Sequence, residues 1–498
     1  MKNPTTFREQ IAVQSWLRPA LTPVPANVDY TRFKGILEDI EQILRTSGLE
    51  QQAVEMVLED FRGDAGARQR RARFALESLR VEVLRHLLGM PSFRELSRRI
   101  CAGDLLSDFC GLRRLDGIRG AAKSTLERRS KLFSEEQLRR LHQTLTEVCG
   151  NSDLCAMIGL EEAVPMETCL VDSTCLEANI HFPVDWVLLR DVSLSLLQAI
   201  ALIRREGLRR RMPESPEQLR RQMNALCIEM THARRRPDAS RKRKAVLREM
   251  KKLLRRIGGH ARRHGEKLGR NWERTKWSER QARRLCERID EKLAQIDPVI
   301  DQAHERIIGG RAVPTQEKIL SVHEPDVHVI VRGKAGKEVE FGNTLLLSEN
   351  REGYLTDYRL YRERAPGEAQ QLWESLQRQN RFDLDAIGEV CTDRGFASKE
   401  TARRLKALEI FDATCPRDPQ RLAASLQQER FRRLQQRRGS TEARIAIVAN
   451  GFLGRRLRAR GYPNRARVVA FAVLSHNLWF LARRLAQQRE KESGREAA

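Results

Sequence analysis

The sequence predicts an α/β fold: a mixed sheet, preceded by an all-α N-terminal region and interrupted by a long, basic helical insertion. Three patterns carry that expectation. Apolar residues recur at three- and four-residue steps between Tyr30 and Gly150, as amphipathic helices require. Short apolar runs alternate with helical stretches after Glu167 and again after Pro314, the order that builds a sheet with helices packed on it. Between those two stretches lies an arginine-rich region, residues 204–311, with helical periodicity throughout.

The elements follow in order. Phe33, Ile36, Leu37, Ile40 and Ile43 mark one helix, and Leu76, Leu79, Val83 and Leu87 another. PSFRELSRRICAGDLLSDFCGL reads as two short helices divided by Gly103, and Ser124 or Thr125 can cap the next. Such a basic helical set suits a helix-turn-helix that binds DNA, and equally a dimerisation unit. METCLVDS then reads as a buried strand with Asp172 at its end, followed by a helix from Asp185. In the basic region Leu247, Leu253 and Leu254 give one apolar stripe, and Pro237 and the Gly258–Gly259 pair are expected to divide it into separate helices. VHVIVRGKAGKEVEFGNTLLLSE alternates about a Gly333–Gly336 turn, as a β-hairpin does, and GYLTDYRLY is a further strand. After a helix over 366–379, AIGEVCTD is a strand ending at Asp393, SKETARRLKAL a helix and EIFDATCP a strand. The remainder is helical.

Composition bounds the function. At 498 residues, two or three domains are expected, with cores built from aliphatic side chains because aromatics make up only 5%. Lys and Arg number 92 against 67 Asp and Glu, a net charge of +25 that favours a polyanionic partner. Arginine outnumbers lysine, and its planar fork suits phosphate. An arginine-biased composition with no such partner is the bland alternative. Ten cysteines stand singly without C-x-x-C spacing, which argues for reduced thiols rather than a zinc site. MKNPTTFREQIAVQSW lacks an apolar signal core, and the longest apolar run, 468–482, is broken by Ser475, His476 and Asn477. No membrane partner is therefore expected.

Two predicted strands end in aspartates, Asp172 and Asp393, where α/β sheets gather active groups. Glu442, in RRGSTEARIAIVANGF, lies on a helix that Ser440 or Thr441 can cap. Three carboxylates suit hard divalent cations, and two such ions about 4 Å apart can activate one phosphodiester oxygen and stabilise another. The competing readings are turn-capping aspartates and an ordinary surface glutamate.

The words around these acids carry a family resemblance. VDSTCLEANIHFPVDWVLL resembles the first-aspartate block of bacterial insertion-sequence transposases of the DDE class. CTDRGFASKE is similar to their second block, and RRGSTEARIAIVANGFLGRRLRARG to the third, with Glu442 at the glutamate position. VRGKAGKEVEFGNTLLLSE, VVAFAVLSHNLWFLAR and PSFRELSRRICAGDLLSDFCGL resemble the family's strand pair, closing helix and N-terminal helical domain. The likeness spans most of Phe93 to Arg483.

The resemblance implies an RNase H-like catalytic domain over 161–487, interrupted by the 204–311 insertion. A helical DNA-binding or dimerisation domain at 1–160 precedes it, and a disordered tail at 488–498 follows. It implies Asp172, Asp393 and Glu442 as catalytic metal ligands for two Mg²⁺, with Mn²⁺ able to substitute. The reaction would be nicking at transposon ends, then attack of the freed 3′-hydroxyl on target DNA. Double-stranded DNA is the implied partner, with a homodimer when two ends are synapsed, in a bacterial cytoplasm at the nucleoid. Departures exist. Ala449 and Asn450 stand where many relatives carry a basic residue, so that Arg444 or Arg455 would have to serve, and Thr344 replaces a frequent lysine. Arg394 could touch the scissile phosphate or pair with a metal-binding carboxylate. Trp272 and Trp277 are expected to pack between helices rather than stack on a base, and His476 and Asn477 to be satisfied core groups. The alternatives are a catalytically inactive, transposase-derived DNA-binding protein and a standalone RNase H-type nuclease.

Overall fold

The computed structural model describes residues 27–233, 238–334, 337–380, 387–454 and 457–496. The chain forms two compact units, one of Met1–Glu177 with Asn343–Ala498 and the other of Ala178–Gly342.

The first unit opens with helices α1 (Val28–Thr46), α2 (Leu49–Leu58) and α3 (Ala65–Leu87). Asn27 and Asp64 satisfy first-turn N–H groups by accepting from Tyr30 (2.9 Å) and Ala67 (2.6 Å). Helices α4 (Phe93–Ala102) and α5 (Asp104–Phe109) flank Gly103 as expected. A two-residue ladder, β1 (Arg113–Arg114) with β2 (Gly117–Ile118), leads to α6 (Lys123–Arg129) and α7 (Glu135–Gly150). Ala122, not Ser124 or Thr125, precedes α6, so those hydroxyls stand inside its first turn. Strand β3 (Thr168–Glu177) runs ten residues, which puts Asp172 at its middle instead of its end. The apolar run stops at Asp172, but pairing with neighbouring strands carries the extended backbone further.

The second unit holds α8 (Asp185–Arg205), α9 (Pro216–Ala233), α10 (Ala239–Asn271), α11 (Glu279–Ala294) and α12 (Ile296–Ile307). Helix α8 packs against the other four and buries Leu189, Val192, Leu196 and Ile200 completely. It is long and apolar enough to cross a membrane, yet most of it is buried here. Asp185 at its start receives Arg306 through both oxygens (2.9 and 2.8 Å) and Gln302 (3.0 Å). Pro237 lies outside the described residues. Helix α10 runs unbroken through Gly258–Gly259, contrary to expectation. A Cβ on Gly258 would stand 2.6 Å from Ile296 Cδ1, so this glycine lets α12 approach closely and does not end a helix. Trp272 and Trp277 pack against the unit's apolar core. Strand β4 (His328–Lys334) pairs antiparallel with the start of β5 (Lys337–Glu349), their turn at 335–336 lying outside the described residues.

From Asn343 onward the chain belongs to the first unit again. Strand β6 (Leu355–Leu360) pairs antiparallel with β5. Then come α13 (Glu368–Gln379), β7 (Glu389–Cys391), α14 (Lys399–Ala407), β8 (Phe411–Asp412), α15 (Pro419–Ser425), α16 (Glu429–Ile447) and α17 (Tyr462–Glu496). The six-stranded sheet runs β4–β5–β3–β7–β8, with β6 also on β5; β7 lies parallel to β3 and to β8.

Helix α17 is apolar on nearly every side from Val469 to Ala482 and therefore needs cover all round. It packs on α1, α3 and α7, so the N-terminal helices share one unit with the sheet and do not form a separate domain over 1–160. The same unit's interruption is Ala178–Gly342, wider than the expected 204–311, because α8 and the β4–β5 hairpin belong to it. The expected tail at 488–498 is helical through Glu496, held by a fork from Arg489 to Asp39 (2.9 and 2.6 Å).

Candidate active site

Parallel pairing of β3 with β7, in register from Thr168↔Glu389 to Leu170↔Cys391, carries both strands toward the same edge of the sheet. Two residues beyond that register lie Asp172 on β3 and Asp393 just past β7. Asp393 Oδ1 accepts from Gly395 N (2.8 Å), which fixes its rotamer at the start of a short 3₁₀ turn. Gly395 is small for a reason the sequence did not reveal: a Cβ there would collide with the Glu368 carboxylate at the start of α13.

Helix α16 lies across this edge. Phe431 and Leu434 pack on Leu170, Cys391 and Ala413, so one face of the helix is nailed to β3, β7 and the end of β8. Gln435 Nε2 donates to Thr392 O (3.2 Å) and Ala413 O (2.6 Å), binding α16 to the ends of both parallel strands. Glu442 sits two turns further on, in the helix interior; Ser440 and Thr441 do not cap it, because α16 begins at Glu429. Its position is exposed, while Asp172 is half-buried.

Asp172 feels both of the other acids. Burial pushes the Asp172 carboxyl up to about 6, and the charges of Asp393 and Glu442 push in the same direction. Arg438, one turn before Glu442, opposes them and is held by a hydrogen bond from its Nε to Gln435 Oε1 (3.2 Å). Arg438 was missed in the sequence; its spacing of four from Glu442 was the available signal. Among the described residues, no three His, Cys, Asp or Glu side chains stand close enough together to hold an ion as placed. The donor set nevertheless suits a hard divalent cation in chemistry: oxygen ligands only, with an anion whose neighbours already disfavour its charge.

A second device holds α16. Glu349, at the end of β5 and 1% exposed, receives Arg437 (3.3 and 3.2 Å) and Arg444 (3.2 Å), which lie two turns apart on that helix. Asn350 builds the turn beyond it, accepting from Gly353 N and Tyr354 N (both 2.8 Å) and donating to Pro165 O (2.8 Å). Gly353 adopts φ +99°, and a Cβ on it would strike the Arg444 guanidinium. Arg444 is thus committed to Glu349, with His476 Nε2 at 3.5 Å. Arg455 lies outside the described residues. Arg394 is exposed and forms no ion pair among the described residues; its carbonyl accepts from Arg417 (3.0 Å).

Helix α16 ends in a π-helical turn, Val448–Phe452, that contains Ala449 and Asn450. Phe452 O meets His86 Nδ1 at 2.7 Å, and the Phe452 ring meets His476 edge-on. Asn477 accepts from Leu355 N (3.0 Å) and donates to Leu355 O (2.8 Å), so it and His476 are satisfied core groups as expected. Compared with family models, curated proteins and solved structures, the chain matches none.

Proposed function

We infer that the chain is a DDE-type DNA transposase that cleaves DNA at transposon ends and joins the freed 3′-hydroxyl to target DNA. One observation carries the reading: Asp172 on β3 is acted on by the charges of Asp393, just past the parallel strand β7, and of Glu442 on α16. An RNase H-like core is the fold that this reading implies. What supports it is β3 standing between an antiparallel β5–β6 pair and the parallel strands β7 and β8, with a helix delivering the third acid.

In this reading Asp172, Asp393 and Glu442 hold two Mg²⁺ ions, which when bound would activate the attacking oxygen and stabilise the leaving one. The chain's own residues set the stage for that. Gly395 N orients Asp393, and Gln435 fixes the rotation of α16 about its axis. Arg438 places a cation beside Asp172, where it favours the ionised carboxylate and can meet a phosphate oxygen. Double-stranded DNA is the substrate, and two ends held together call for a dimer acting wherever that DNA lies.

A second reading is an inactive DNA-binding descendant. It is favoured by the open spacing of the acids and by Ala449 and Asn450 beyond Glu442. The test is Mg²⁺-dependent cleavage of a duplex carrying the element's own ends, with wild type compared against Asp172→Asn, Asp393→Asn and Glu442→Gln. Nicking by wild type alone, with binding kept in all variants, is the expected result. Binding without cutting in Mg²⁺ or Mn²⁺ gives the second reading, and cutting that survives all three substitutions moves the active site elsewhere.

A further inference from the structure

The second unit, 178–342, contains 37 Lys and Arg against 22 Asp and Glu, so about a third of the chain carries +15 of its +25 charge. That surplus is ordered along one helix. α10 is 33 residues long, about 50 Å at 1.5 Å per residue. One side of it buries Val246, Leu247, Met250, Leu254, Ile257 and Leu268 against the unit's core. On the other side Arg241, Arg248, Arg255 and Arg262 recur every seven residues, and all four are exposed. Seven residues fall within about 20° of two full turns, so the four guanidinium groups form one row of about 32 Å.

This row is held by little. Arg241 and Arg255 approach Asp238 and Asp297 only at 3.9 and 3.8 Å, with side chains 90% and 62% exposed, and such pairs are worth little in water. Arg248 and Arg262 form no ion pair among the described residues. Arg263 and Arg270 widen the same face, where Lys252 pairs with Glu249 (3.1 Å) and Glu266 follows Arg262. Arg255 and Arg248 also help burial to hold the neighbouring Lys251 ammonium below its usual range.

We propose that the Arg241–Arg248–Arg255–Arg262 row of α10 is a docking rail for the phosphate backbone of duplex DNA, read without base contacts. Three features select this partner. The apolar side of α10 is already buried, so the helix has nothing to insert into a lipid surface. The exposed face presents no aromatic side chain on which unpaired bases could stack, as single strands require. A straight row of about 32 Å matches roughly one turn of duplex, whose phosphates recur at fixed spacing, better than it matches a flexible acidic peptide. The rail rests on the nucleic-acid reading above but not on the three carboxylates.

The experiment measures binding of the full chain to a 30-base-pair DNA duplex by fluorescence anisotropy, from about 50 to 300 mM KCl. Each lost phosphate contact lowers the slope of log K against log salt by about 0.9. The quadruple variant R241Q/R248Q/R255Q/R262Q should therefore lose about 3.6 from the slope and bind about a thousandfold more weakly at 0.1 M salt. Its thermal melt should stay at the wild-type value, because the row supports no packing. A charge-matched control, R220Q/R221Q/R283Q/R403Q, removes arginines already paired with glutamates and should shift the slope by less than about one. Equal slope losses in both variants, no loss in the rail variant, or tighter binding of a single strand or of anionic vesicles would each overturn the proposal. An enzyme that never cuts but shows the expected slope loss removes only the catalytic reading. One that cuts with an unchanged slope removes only the rail.

Discussion

Replacing Glu349 by glutamine should separate the placement of Glu442 from the making of the fold. The carboxylate is 1% exposed and is the shared partner of Arg437 and Arg444, whose side chains are 23% and 18% exposed. Removing one member of a buried ion pair costs about 3–5 kcal/mol. Both guanidinium groups retain some contact with water and glutamine keeps one acceptor oxygen, so about 2–3 kcal/mol is expected here. For a unit of this size that lowers the melting temperature by about 3–4 °C, well short of unfolding at room temperature. The effect on chemistry should be larger in proportion. Glu442 lies between the two arginines on α16, and a displacement near 1 Å at a reacting group costs about a hundredfold in rate. Single-turnover cleavage at saturating DNA should fall by roughly that factor, while DNA affinity holds, because Glu349 is too buried to touch a duplex. Gly353→Ala should reproduce the defect from the other side, by driving Arg444 off Glu349. A Glu349→Gln protein that melts lower yet cleaves at the wild-type rate per folded molecule would refute the reasoning, leaving the clamp as a support for the fold alone.

Two further predictions concern pH. The Asp172 carboxyl, pushed up to about 6 against an ordinary 3.8, makes the folded state bind more protons than the unfolded one between those values, so its ionisation weakens the fold as pH rises. Asp172→Asn should accordingly raise stability by about 2 kcal/mol at pH 7.5 in chelator, with the gain fading as pH falls from about 6 and gone by about pH 4; melts that show no gain at pH 7.5 would contradict the burial and charge crowding of this carboxyl. The opposite sign holds for three buried imidazoles. Burial holds His86 and His476 down to about 3 and His142 to about 4, so stability present above about pH 6.5 is lost as pH falls toward those values. At pH 5 the three together should cost about 6 kcal/mol, comparable to a whole domain's stability. Melting temperature should therefore drop steeply between pH 6.5 and 5, less so in His476→Gln, and a flat profile over that range would show that these rings take up protons in the folded state.

Much of the fold was legible because one signal decided each element. The three-and-four spacing of α1, α3 and α8 and the alternation of β4 and β5 needed no tertiary information. The failures share a cause: local chemistry was overruled by a neighbour. Gly258–Gly259 looked like a break, yet Ile296 explains the glycine at 258 as room for another helix. Ser440 and Thr441 looked like a cap, but α16 had already begun eleven residues earlier, where Phe431 and Leu434 dock on the sheet. Asp172 looked terminal because the apolar run stops there, whereas strand length was set by pairing. The three acids proposed for the site were named from their flanking words. Glu349, Gln435 and Arg438 could not be, since each acts through a partner in another element or another turn, and single-chain periodicity does not register such pairs.

The 165 residues from Ala178 to Gly342 leave the sheet at the end of β3 and return along β5, and those two strands are neighbours. Topologically the whole second unit occupies the place of a hairpin loop. Closing a flexible loop of that length costs about 4–5 kcal/mol of chain entropy, all of it opposing the pairing of β3 with β5. If the helices of the second unit condense first, the loop that remains to be closed shrinks from the full insertion to the few residues beside its two exits. In that order of assembly the basic unit would mature first, and β3 would meet β5 across a short remaining gap.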